Sequence, residues 1–120
     1  MSSIHETAYP RFKPELSQQE LEDVYTPTDE ERIFAQRRSH TPAARLALLV
    51  LLKTTQRLGY FVKLAEVPRP IISHIAKCLG ARARTQRGLL AYEQDGARHR
   101  LLTLIRNYLD IKSISVVSAK

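Results

Sequence analysis

Tryptophan is absent, cysteine and methionine occur once each, and glycine fills only four of the 120 positions. A lone Cys78 cannot close an internal disulfide, so a disulfide-stapled secreted scaffold is excluded and a reducing, cytoplasmic setting is expected. Four glycines and six prolines are too few for a collagen-like or low-complexity chain. Long apolar runs are missing too. The longest, residues 43–52, is interrupted by Arg45 and falls short of the roughly 20 residues a spanning helix needs. The opening residues, MSSIHETAYP, lack the basic start and apolar stretch of a secretory signal. There is no Gly-rich phosphate loop, nucleophile elbow or HExxH.

Negative charge is scarce in one part of the chain only. Residues 1–31 hold eight acids and two bases, a formal −6, whereas residues 32–120 hold seventeen bases and four acids, +13, within a net charge of +7. A small domain with that excess repels itself, and a polyanion relieves the repulsion while its condensed counterions are released. Nucleic acid is therefore the expected partner. Few aromatics interleave with the bases, which disfavours the stacking platforms of RNA and single-strand binders and leaves double-stranded DNA.

Catalytic material is poor. Glu66, Glu93, Asp95 and Asp110 are the four acids after residue 31, and they form no carboxylate pair or metal-binding triad. His5, His40, His74 and His99 are scattered, and only His74 with Cys78 has a spacing that shares a metal, two ligands where a structural zinc takes four. Cys78 borders an apolar stripe and is expected as a buried thiol beside a solvated histidine. The chain is expected to carry no catalytic residue, no metal and no cofactor.

The hydrophobic period is helical throughout. Residues 1–15 are polar, contain Pro10 and Pro14, and read as an extended arm. Ser17 with Glu20 forms a capping box that opens a helix through Val24, and Thr28 with Glu31 repeats it for a helix to about Arg38. Asp29, Glu30 and Glu31 at that helix's start and Arg37 and Arg38 at its end match the helix dipole. Thr41-Pro42 and Gly59 bracket a third helix over residues 42–58, apolar on every side from Leu46 to Leu52 and hence central.

A fourth helix spans about residues 69–79 and ends at Gly80. Its inner stripe is Ile71, Ile72, Ile75, Ala76 and Leu79, and its outer face is Arg69, Ser73, His74 and Lys77. Residues 81–88, ARARTQRG, form a connector carrying Arg82, Arg84 and Arg87. One turn over residues 89–93 precedes a final helix over residues 97–109, with Leu101, Leu102, Leu104, Ile105, Tyr108 and Leu109 inside and His99, Arg100, Thr103, Arg106 and Asn107 outside. Residues 111–120 are strand-like in composition, without a partner. The expected fold class is all-α: a single small bundle of about five to six helices with helix-turn-helix-like character. Its domains are an arm at 1–15, the helical domain at 16–111, and a tail or linker toward further domains at 112–120.

Residues 53–80, KTTQRLGYFVKLAEVPRPIISHIAKCLG, carry a family pattern: an apolar helix running into RLGYF, a connector ending in Val67-Pro68, then Ile71-Ile72, His74-Ile75-Ala76 and a closing Leu79-Gly80. Ile105, Arg106, Tyr108 and Leu109 match an IR-x-YL element in the closing helix. Over about residues 16–111 the chain resembles the amino-terminal domain of Tn-three family transposases, the replicative, cointegrate-forming bacterial transposases. Asp110-Ile111-Lys112 departs from the family, which more often continues with Gly, an aromatic residue and Arg. The resemblance implies a domain that helps recognise the terminal inverted repeats of a transposon in DNA transposition and recombination. The catalytic acidic triad of those enzymes belongs to a distant carboxy-terminal region and has no counterpart among these residues.

On this reading Arg69, Ser73, His74 and Lys77 read bases, Arg82, Arg84 and Arg87 contact the backbone or minor groove, and Arg98, Arg100 and Arg106 clamp flanking phosphates. The alternative is a non-catalytic interaction or regulatory module that docks through its acidic helices onto the rest of a transposase or a second protomer.

Overall fold

Each helix start in the computed structural model, which describes residues 16–81, 85, 86 and 88–118, is set by a local signal. The Glu20 amide donates to the Ser17 hydroxyl, opening α1 (Gln18–Tyr25). Thr28 and Glu31 exchange both bonds of a capping box at the head of α2 (Asp29–Arg38). Thr41 accepts from the Ala44 amide ahead of α3 (Pro42–Leu58), whose proline at the first position has no amide to leave unsatisfied. Two more helices, α4 (Arg69–Cys78) and α5 (Asp95–Ser118), and 3₁₀ turns at Leu64–Glu66 and Leu89–Glu93 complete the described elements. All are helical, as expected, and none is long and apolar enough to cross a membrane.

Helix ends are equally local. Gly59 takes φ 84° after α3 and its amide donates to the Thr55 carbonyl. Gly80 takes φ 68° after α4, and the amides of Gly80 and Ala81 return to the carbonyls of Lys77 and Ala76, the paired bonds of a Schellman motif.

The seven residues from Leu46 to Leu52 are fully buried, because α1, α2, α4, α5 and both 3₁₀ turns all pack on α3. Burial continues through Lys53, Thr54 and Thr55; Lys53 and Thr54 find internal partners, whereas the Thr55 hydroxyl has none among the described residues. The Thr54 hydroxyl donates to the Val50 carbonyl at 2.8 Å. Lys53 Nζ donates to Glu31 Oε1 at 3.1 Å, and Gln56 donates to the other carboxylate oxygen at 2.8 Å. Burial by itself raises the Glu31 pKa, but the Thr28 amide, Gln56 and Lys53 outweigh it and hold the carboxyl below its ordinary value. The capping glutamate of α2 thus also fastens α2 to the central helix.

Two expectations change. Residues 111–118 are not a strand-like tail: they continue α5 to Ser118. A running helix adds a hydrogen bond per residue without new nucleation, while β-branched residues cost at most about 0.7 kcal/mol each, and no strand among the described residues is available to pair with them. The final helix also starts two residues before Ala97, with Asp95 and Gly96 in its first turn. The arm at 1–15 lies outside the described residues.

Short turns fall where the capping residues put them. Three residues join α1 to α2 and three join α2 to α3, while α4 is reached through residues 59–68. The three- or four-residue spacing of a helix-turn-helix therefore leads into α2 and into the buried α3, and α4 is reached by a longer connection.

Candidate nucleic-acid interface

Arg69, Ser73 and Lys77 follow one another at four-residue steps along α4 and are all exposed, on the side opposite the buried Ile71 and Ile75. Arg69 and Ser73 stand on the lip of a groove of about 780 Å³ floored by Leu64, Val67, Ile72 and Leu89. The Ser73 hydroxyl lies 3.5 Å from the side-chain oxygen of Gln86, which places this connector residue at the same face.

His74 does not belong with them. It follows Ile71 by three residues, so it lies at the edge of the buried stripe, where its Nε2 is 2.8 Å from the Thr26 hydroxyl and 3.8 Å from Cys78 Sγ. Burial, above all, lowers its pKa below the ordinary 6.5; Glu22 opposes this and Lys77 adds to it. His74 is a joint between α1 and α4 rather than a base reader. Cys78 is half-buried rather than buried, and the described residues contain no cluster of three His, Cys, Asp or Glu able to hold a metal.

The final helix distributes its cations differently. Arg98 donates to Glu93 at 3.4 Å, both side chains being about one-fifth exposed, and the other Glu93 oxygen takes the Ala65 amide at 3.1 Å. The expected phosphate clamp at Arg98 is thus a brace joining α5 to both 3₁₀ turns. Arg106 is exposed but lies over the Phe61 ring, 5.6 Å from its centroid. Arg100 is exposed and faces the turn between α2 and α3 across a cavity of about 250 Å³. The connector arginines Arg82, Arg84 and Arg87 lie outside the described residues.

The structure brings Arg69, Ser73 and Lys77 together on α4, and Arg100 with Arg38 and His40 at the other site. Arg38 and His40 had no place in the expected set: the helix-dipole explanation of Arg38 was sufficient from sequence, and nothing local signals that α5 returns beside it. Most residues of the family pattern have structural work. Leu58, Val67, Ile75 and Ile105 are buried, Gly59 and Gly80 end helices, and Tyr108 packs on Phe34 with ring centroids 4.3 Å apart.

Fold and surface together define a small all-α domain with basic side chains exposed on two separate sites. The chain belongs to the family described as Domain of unknown function (DUF4158), whose model matches residues 1–119. No curated protein and no solved structure matches it.

Proposed function

We propose that this chain is the DNA-binding, amino-terminal domain of a Tn-three family transposase, recognising the terminal inverted repeats of a bacterial transposon. One observation carries the reading. Past residue 31, Lys53 and Arg98 are held in ion pairs, while Arg37, Arg38, Lys63, Arg69, Lys77 and Arg100 stand exposed with no acid bridging them among the described residues. Unneutralised cations on a folded surface repel one another, and a phosphate backbone removes that repulsion with a gain from counterion release. The resemblance at RLGYF, Val67-Pro68, His74-Ile75-Ala76 and Leu79-Gly80 supplies the transposase context.

Duplex DNA is the partner, the domain itself performs no strand chemistry, and it needs no cofactor. Arg69, Ser73 and Lys77 form the base-reading set, and the connector arginines follow the backbone. The test is a titration of the chain against an inverted-repeat duplex and a scrambled duplex of equal length. A preference of about a hundredfold or more for the repeat supports sequence recognition, and equal affinity overturns it. Failure to bind either duplex transfers the assignment to the interaction module, docked through the exposed Glu22, Asp23 and Asp29.

A further inference from the structure

The cavity between the α2–α3 turn and α5 is lined by Arg38, His40 and Arg100 but by no carboxylate. Neither arginine has a hydrogen-bond or ion-pair partner among the described residues, so two permanent charges converge on one space without compensation. Two hydroxyls sharpen the requirement. Thr41 Oγ1 and Tyr92 Oη are 3.1 Å apart, and Thr41 already accepts from the Ala44 amide. One of the two hydroxyl protons bridges the oxygens whichever group donates, and the other remains to be given away. The wall therefore offers positive charge and a spare donor, the complement of an acceptor-only anion. The amino end of the 17-residue α3 adds the favourable end of its dipole, with no acid in its first turn to compete.

We propose that this cavity seats one phosphate group of a DNA backbone, held by Arg38 and Arg100 with His40 and the Thr41–Tyr92 pair beside it. The assignment rests on the DNA-binding reading and adds a contact point distinct from the α4 face. About 250 Å³ accommodates one phosphate group, and a contact to phosphate positions the duplex without reading its sequence.

The test compares the full chain with an Arg38→Gln, Arg100→Gln variant, using a repeat and a scrambled short duplex at several salt concentrations, with thermal unfolding to verify the fold. An Arg38→Lys, Arg100→Lys variant serves if the glutamines unfold the protein: it keeps the charge and so the salt slope, but loses the bidentate geometry and with it affinity. Loss of one phosphate contact weakens binding about tenfold or more, equally for repeat and scrambled duplexes, and lowers the salt slope by about 0.9. Wild-type binding with an unchanged slope and affinity in the variant overturns the phosphate seat and leaves the DNA-binding reading standing. No binding by the wild-type chain overturns both.

Discussion

α4 and α5 show the same pattern in sequence, a stripe of isoleucine and leucine backed by arginine, lysine and histidine, yet their cations have different fates. On α4 the four-residue series Arg69, Ser73, Lys77 stays exposed. On α5, Arg98 is taken by Glu93, Arg106 lies over Phe61, and Arg100 alone of the three faces an open cavity. The difference comes from what returns alongside each helix. α5 packs against the Leu89–Glu93 turn, which brings a carboxylate within reach, whereas α4 packs on α1 and α3 with its basic face turned away from both. Amphipathic spacing says which side of a helix is wet, and only the neighbours say which wet cations are free.

The largest expected effect removes the foundation both helices share. Glu31→Ala strips the buried Lys53 ammonium of its partner and breaks the α2 cap, and a loss of about 3–5 kcal/mol in urea unfolding is expected. The carboxyl sits below its ordinary 4.5 when folded, so its contribution is present above about pH 4.5 and disappears as pH falls through the folded value. Stability measured from pH 6 down to pH 3 should decline in wild type through that window, and the Glu31→Gln variant should lack this component.

Next come the anchors of the two helices. Ile75 and Ile105 are both fully buried, and Ile75→Ala and Ile105→Ala should each cost about 2–5 kcal/mol. A cost below about 1 kcal/mol for either one means that its helix is not anchored as described.

Smaller effects separate the cations. Arg98→Ala should lower stability by about 1 kcal/mol and leave the salt dependence of duplex binding intact, since its charge is already used. Arg69→Ala with Lys77→Ala should do the reverse, moving stability by less than about 0.5 kcal/mol while weakening binding. Replacing Arg82, Arg84 and Arg87 together should flatten the salt slope by up to about three counterion units, and an unchanged slope removes the connector from the interface.

Helix boundaries were legible in the sequence because they are written by single residues: Ser17, Thr28, Thr41 and Pro42 at starts, and Gly59 and Gly80 at ends. The central position of α3 was legible because Leu46 to Leu52 leave it no polar face. The continuation of α5 was not, since the β-branched residues near its end favour strands only where a partner strand exists. The candidate site was legible in part. Exposure of Arg69, Ser73 and Lys77 follows from their spacing, but the links Glu93–Arg98, Phe61–Arg106 and Thr26–His74 depend on how non-adjacent elements meet. Helical spacing groups His74 with Arg69, Ser73 and Lys77 on the outer face of α4, but its ring lies at the edge of that face and reaches the Thr26 hydroxyl at the end of α1.

The central claim is that exposed cations of this domain bind the phosphate backbone of a duplex, and the salt dependence of binding addresses it directly. Titrating the chain against duplex DNA across a several-fold range of salt should give a log affinity that falls linearly with log salt, with a slope of about −0.9 for each phosphate neutralised. A slope of about −1.8 or steeper is the predicted result, since α4 and the Arg38–Arg100 cavity each contribute at least one contact. A duplex affinity that does not respond to salt, or no measurable affinity at the lowest salt, contradicts the account.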